Sequence, residues 1–448
     1  MAAVLLPLHW LPAFEVAGYT VKPVSIISDV VGRREAAPEP AEEIIEIEDS
    51  VEDLPIAEPQ KAPEAPVALE DFPRGEVGFE DFADEEQRGL MPFYKALSEV
   101  NEKGRPVRIA YLGDSFIEVD ILTADLRELL QAEFGGHGVG FLDINPPYAS
   151  NRTTVRQRSG SWESHCVVDK SGCKDSLLNL NQRYFTTSST GWTEVTGVKK
   201  AYLDSADIHT IYLRSSEPAT VGVKLDEGPM LALYGQGGNH LEALRFEGRS
   251  KKVSWQVEAA EGLVCWGVAQ ESQRGVILDN FSLRGSGGQT LAQVPEETLR
   301  QLNEVRPYDL IVLQFGLNVA NKNQTNYSAY ARRMMAVVER LKRAFPQAGI
   351  LIVSVGDRED KTPEGEMETY PGIEALVKYQ RQMAMESHVA FWNLFEAMGG
   401  RGSICRMAET SPPMASKDYT HINARGGRHI AEIFFNTLKH GLDAYGQR

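Results

Sequence analysis

The sequence predicts an α/β protein in which a parallel sheet, covered on both faces by helices, carries an inserted β-rich domain. Three observations predict this. Apolar runs of strand length alternate with stretches of helical spacing over residues 107–134 and again over 275–438. Between about 148 and 275 the texture changes to short β-type pieces separated by Gly, Asp, Ser and Asn. Finally, 448 residues with 42% hydrophobic content are enough for two packed domains and their connections.

The chain opens on MAAVLLPLHWLPAF, an apolar run shorter than the roughly 20 residues a spanning helix needs. It also lacks the Lys or Arg of a signal peptide's first region. Residues 1–34 therefore read either as the tail of a membrane anchor or as an apolar segment packed on the folded domain. Residues 35–72 are Pro-rich and acidic, with thirteen acids against the single base Lys61. Such a stretch cannot bury enough surface to fold alone and reads as an extended, self-repelling linker, with a tail for a basic partner as the alternative.

Order resumes near Gln87, where Leu90, Phe93, Tyr94, Leu97 and Val100 recur at helical spacing. Residues 107–112 read as a buried strand that stops at Gly113, and Leu122, Leu126, Leu129 and Leu130 then mark a helix up to Gly135-Gly136. Within the insertion, residues 208–213, 219–225 and 253–257 read as strands of a β-sandwich. Beyond it come strands at 275–281, 310–315, 349–355 and 389–392 and helices at 327–345, 373–386 and 424–438. The expected division is a catalytic α/β domain at 73–147 and 276–448 around a sandwich at 148–275.

A net charge of -17 argues against a nucleic-acid binder, whose affinity comes from neutralising phosphates. Four cysteines, Cys166, Cys173, Cys265 and Cys405, are too few for a disulfide framework and lack the paired spacing of a zinc site, so neither metal nor other cofactor is expected. Cys166 and Cys173 read equally as a bridge or as two thiols.

Ser115, in Gly113-Asp114-Ser115-Phe116, sits where a buried strand meets a helix. That position exposes a hydroxyl at the carboxyl edge of a parallel sheet and aims free N–H groups at developing negative charge. A serine there also serves simply as a helix N-cap. Asp418 and His421 supply a carboxylate and an imidazole three residues apart, just before the last helix. If they converge, the carboxylate holds one ring nitrogen protonated while the other accepts the serine proton; the alternative is a capping Asp beside an exposed His. His137 and His429 are rival bases. Gly285, in a glycine-rich turn, and Asn318, after the strand at 310–315, offer donors for an oxyanion, although both are ordinary turn residues when taken singly.

Order and placement favour the chemical reading. Gly113-Asp114-Ser115, Gly285, Gly316-x-Asn318 and Asp418-x-x-His421 resemble the four signature blocks of the SGNH, or GDSL-type, hydrolases. Three further stretches, 134–140, 392–400 and 417–427, resemble the bacterial envelope members that include peptidoglycan O-acetylesterases. The resemblance implies a flavodoxin-like three-layer parallel sheet with an inserted carbohydrate-binding-like β-sandwich. It implies a serine esterase in which Ser115 is nucleophile, His421 base and Asp418 its orienting carboxylate, with Asn318 and the N–H groups of Ser115 and Gly285 as the oxyanion hole. The implied substrate is an O-acetylated polysaccharide of the cell envelope or periplasm, with a membrane acyltransferase as a partner and the N-terminus as an anchor.

Two departures bear on substrate rather than on the triad: Phe116 follows the serine where the family usually has Leu or His, and Val319-Ala320 follow Asn318. The acyl pocket is open between Arg284 and Phe116 as its shaping residues. Aromatics of the insertion (Trp162, Tyr184, Phe185, Trp192, Tyr202, Tyr212, Tyr234, Trp255, Trp266) read either as a sugar-stacking platform or as sandwich core. Two other activities compete: O-acetyl transfer to a sugar hydroxyl, and glycan binding by a protein with a vestigial hydrolase site.

Overall fold

The computed structural model describes residues 14–16, 19–21, 77–83, 89–169 and 172–447. The expected anchor segment and acidic linker lie outside the described residues, except for a short antiparallel pair, Phe14–Val16 with Tyr19–Val21. No helix among the described residues is long and apolar enough to cross a membrane.

Five apolar runs form parallel strands in the order Val276–Ser282, Val107–Gly113, Leu310–Gln314, Gly349–Val353, Ala390–Trp392. In chain order this is 2-1-3-4-5, the doubly wound arrangement whose switch point lies between the first and third strands. Val107–Gly113, Leu310–Gln314 and Gly349–Val353 are buried along their whole length, as strands covered on both faces must be. Helices Met91–Ser98, Thr123–Phe134 and Ala424–Gly446 pack together as one group, and Glu296–Val305, Ser328–Ala344 and Pro371–Glu386 as another.

The sheet is not wholly parallel. Phe79–Asp81 adds an antiparallel edge strand beside Ala390–Trp392. Its side chain Phe79 is buried edge-on against Trp392 and Phe434, at 6.4 and 5.4 Å between ring centroids. A three-residue strand has too few alternations to be read from sequence.

The insertion is a sandwich of two antiparallel sheets. One contains Glu242–Ser250, Ala206–Arg214, Val264–Glu271, Arg183–Thr186 and Glu163–Cys166; the other contains Leu231–Tyr234, Thr220–Leu225, Lys252–Glu258, Thr190–Gly197 and Val155–Gly160. Gly140–Asp143 also pairs with Val264–Glu271, so the sandwich takes its first strand from residues ahead of the expected start at 148.

Val264–Glu271 is buried throughout because its two faces serve two cores. Cys265 and Val268 join the sandwich core, while Trp266 and Ala269 join that of the α/β domain. Tyr184, Phe185, Tyr212, Trp255 and Trp266 are therefore core residues; Trp192, Tyr202 and Tyr234 are exposed. Cys166 and Cys173 are half-buried thiols.

Buried ions also join the two parts. Arg306, fully buried, bonds Asp279 at 2.7 and 2.8 Å and the hydroxyl of Tyr212 at 2.9 Å, and lies 2.6 Å from Glu271. Glu271 in turn receives two 2.9 Å bonds from Arg108. Tyr212 and Glu271 belong to the insertion, Arg108, Asp279 and Arg306 to the α/β domain.

Candidate active site

The switch point dictates where the site lies. Val107–Gly113 ends at Gly113, and a short 3-10 segment, Ser115–Asp120, follows at once. Asp114 turns the chain: its carboxylate accepts the N–H of Phe116 at 3.0 Å. Ser115 is thereby placed at the carboxyl edge of the sheet, and Phe116 is buried beneath the turn.

Two more loops meet this edge. The N–H of Leu283 donates to the carbonyl of Gly113 at 2.9 Å, which hooks the turn at 283–286 onto the end of the serine strand. Gly285 in that turn has φ +76°, a conformation that glycine adopts without cost. Asn318, beyond Leu310–Gln314, donates through Nδ2 to the carbonyl of Ser286 at 3.2 Å, which orients its amide toward the same loop. Gln380 fastens this third loop by donating to the carbonyl of Phe315 at 2.7 Å and accepting the N–H of Val355 at 2.8 Å.

Asp418 and His421 lie on a loop closed by an isolated bridge between Ala415 and Ile422 and by a 2.8 Å bond from the N–H of Ser416 to the carbonyl of His421. Asn423 caps the following helix, accepting from the N–H of Arg425 at 2.9 Å. The helix then passes so close to the serine segment that a Cβ on Gly427 would stand 1.9 Å from the carbonyl oxygen of Ile121. A glycine is required there for the two segments to meet.

The result is a connected chain of three side chains. His421 Nε2 is 3.1 Å from Ser115 Oγ, and His421 Nδ1 is 2.7 Å from Asp418 Oδ2. The other carboxylate oxygen accepts the N–H groups of Thr420 and His421 at 3.0 and 3.1 Å. Partial burial pushes the Asp418 carboxyl up, but the bonds from the His421 ring and from these backbone groups outweigh it and hold the group below its ordinary value. The rival histidines are elsewhere: His137 Nε2 lies 3.0 Å from Asp207 of the sandwich, and His429 is inside the last helix.

Hydroxyl, imidazole and carboxylate thus stand in the line that a nucleophile, a base and its orienting group require. Residues 247–429 match the GDSL-like lipase/acylhydrolase family. The match takes in the loops that carry Gly285, Asn318, Asp418 and His421, while Ser115 lies ahead of it. A solved structure of a peptidoglycan O-acetylesterase, 20% identical, superposes with a TM-score of 0.66 over 82% of this chain and 99% of that one, so the two share the fold, inserted β domain included. A family two carbohydrate esterase from Cellvibrio japonicus, 10% identical, covers 65% of this chain and 99% of its own length at a TM-score of 0.27. Comparison with curated protein sequences finds no match.

Sequence reasoning singled out Arg284 near the serine turn but missed Glu118, Asp120 and Tyr148 beside it. Glu118 bonds Arg284 Nε at 3.0 Å, and the Arg284 guanidinium lies 4.9 Å above the ring of Tyr148. A cleft borders the turn here, lined by Glu118, Val119, Asp143, Tyr148, Arg183 and Ser282. Asp120 is buried and ion-paired with Arg127 and Arg152. The helix that follows, TADLRELLQAEF, is amphipathic, so Arg127 reads from sequence as one of its solvated charges and gave no signal of the buried pair.

Proposed function

We propose that the protein removes O-acyl groups, acetyl in the first instance, from a polysaccharide of the cell envelope through an acyl-serine intermediate. Ser115 Oγ attacks the ester carbonyl while His421 Nε2 takes its proton, and the imidazolium that forms is stabilised by Asp418. The tetrahedral oxyanion accepts hydrogen bonds from Asn318 Nδ2 and from the N–H groups of Ser115 and Gly285. Its collapse breaks the bond to the sugar oxygen, which takes the proton from His421 as it leaves and departs as the hydroxyl. Water, deprotonated by the same nitrogen, then attacks the acyl-serine and releases the carboxylic acid.

One observation carries this reading: the unbroken line from Ser115 through His421 to Asp418, at 3.1 and 2.7 Å, at the switch point of the sheet. Glycan as the alcohol, peptidoglycan first among candidates, is supported by the likeness in fold to the peptidoglycan O-acetylesterase. An envelope location is the corollary of that substrate.

The test is hydrolysis of p-nitrophenyl acetate by wild type and Ser115→Ala, with acetate release from O-acetylated peptidoglycan followed alongside. Both activities should vanish in the variant. Equal rates in the two proteins would refute the acyl-serine mechanism. Diversion of the acetyl group to an added sugar acceptor, in place of free acetate, would make the protein a transferase.

A further inference from the structure

The turn that carries Ser115 is strained. Val119 has φ +50° and Asp120 φ +68°. Left-handed backbone is unusual for any residue with a side chain and a true outlier for a β-branched one. Conformations of this kind persist only where the surroundings over-determine them.

Asp120 shows what does so. Its carboxylate, 2% exposed, accepts from Thr123 Oγ1 at 2.7 Å and from Arg127 Nη2 at 3.2 Å, both within the α/β domain. Its second oxygen accepts from Arg127 Nη1 at 3.4 Å and, more closely, from Arg152 Nε at 2.8 Å and from Thr154 Oγ1, the latter two supplied by the insertion just ahead of Val155–Gly160. Burial alone would push this carboxyl up; Arg127 and Arg152 hold it far below its ordinary value, and hence ionised. Asn280 adds a 2.7 Å bond to the carbonyl of Ile117, on the other side of the strained pair.

We propose that the inserted domain positions the nucleophile: Arg152 and Thr154 clamp Asp120, the clamp keeps the turn at 115–120 in its left-handed conformation, and the turn holds Ser115 Oγ against His421. The inference rests on the reading of Ser115 as the nucleophile. Arg152 and Thr154 are positioning residues, since neither bonds Ser115 or His421. Loss of either takes a close donor from a buried carboxylate oxygen and leaves the longer 3.4 Å bond from Arg127 Nη1 to share the load, and the turn relieves this by relaxing toward ordinary φ. Ser115 Oγ then leaves the 3.1 Å contact with His421 Nε2. Misplacement of a reacting atom by about 1 Å lowers rates on the order of 100-fold.

The experiment uses p-nitrophenyl acetate, whose acyl transfer needs no glycan contact from the sandwich, and the full chain. Thr154→Val removes the hydroxyl at nearly constant volume, Thr154→Ser restores it, and Arg152→Ala removes the guanidinium. Thr154→Val and Arg152→Ala should lose about 10- to 100-fold in kcat with KM little changed, and Ser115 should react correspondingly more slowly with phenylmethylsulfonyl fluoride. Thr154→Ser should keep the wild-type rate, and guanidinium in solution should raise that of Arg152→Ala. Circular dichroism identifies the folded variants; if Arg152→Ala does not fold, Thr154→Val decides alone. Wild-type kcat in folded Thr154→Val, or equal losses in Thr154→Val and Thr154→Ser, would overturn the proposal. Retained activity in Ser115→Ala would instead overturn the nucleophile assignment.

Discussion

Arg306 offers the sharpest test of how the insertion is attached. It is fully buried between Asp279 and Glu271, and its replacement by Met keeps the volume but removes the charge. Two buried carboxylates then lose a shared partner, a change that typically costs about 3–5 kcal/mol. The pH dependence follows from Glu271. Burial alone would push its carboxyl up, but Arg108 and Arg306 outweigh this and lower it to about 2. A carboxyl with depressed folded pKa contributes stability that is present above its unfolded pKa of about 4.3 and is lost as pH falls toward the folded value. A difference of about two units corresponds to about 3 kcal/mol. Wild type should therefore lose stability between about pH 5 and pH 2 through this group. Arg306→Met should be less stable by about 3 kcal/mol or more at pH 7 and should show a flatter acid limb, because Glu271 takes up its proton more readily in the variant. Urea unfolding at pH 7, 5 and 4, followed by tryptophan fluorescence and fitted for the midpoint, measures both. A loss below about 1 kcal/mol at pH 7, or pH profiles parallel to wild type, would refute the claim that this cluster holds the two parts together.

Two predictions concern the site. Asp418→Asn should lower kcat about 100- to 10,000-fold with the fold intact, because an amide no longer selects the Nδ1–H tautomer of His421; a loss under 10-fold in steady-state hydrolysis would mean that the carboxylate does not orient the base. Gly427→Ala places a Cβ 1.9 Å from the carbonyl of Ile121, so the last helix must move away from the serine segment. Activity should fall at least about 10-fold, and a crystal structure of the variant should show a longer Ser115–His421 distance; wild-type activity would show that this close approach is dispensable.

The elements that build the site were legible because each announces itself locally. A six-residue buried run, 107–112, followed at once by Gly-Asp-Ser, and an Asp and a His three apart before a capped helix, are patterns within ten residues of chain. Phe79–Asp81 was not legible, since three residues carry no period. Nor was the start of the sandwich at Gly140–Asp143, whose partner lies more than a hundred residues away at Val264–Glu271. The clamp on Asp120 was hidden for the same reason. Arg152 and Thr154 stand in a loop among polar neighbours, and only the fold tells that one oxygen of a buried carboxylate waits for them.

These hidden contacts change what the insertion is. A module tethered to bring glycan near an independent catalytic domain would be joined by a surface of modest polarity that could open. Here one strand, Val264–Glu271, serves both hydrophobic cores, and its last residue, Glu271, is a counter-ion of Arg108 and Arg306. The insertion's first segment supplies two ligands of Asp120, five residues beyond Ser115. Excision of the sandwich would expose the apolar side chains under Trp266, take Glu271 from both Arg108 and Arg306, and take Arg152 and Thr154 from the buried carboxylate of Asp120. The α/β layer and the sandwich therefore share a core and a set of buried ion pairs, and the turn that carries Ser115 is bonded to both.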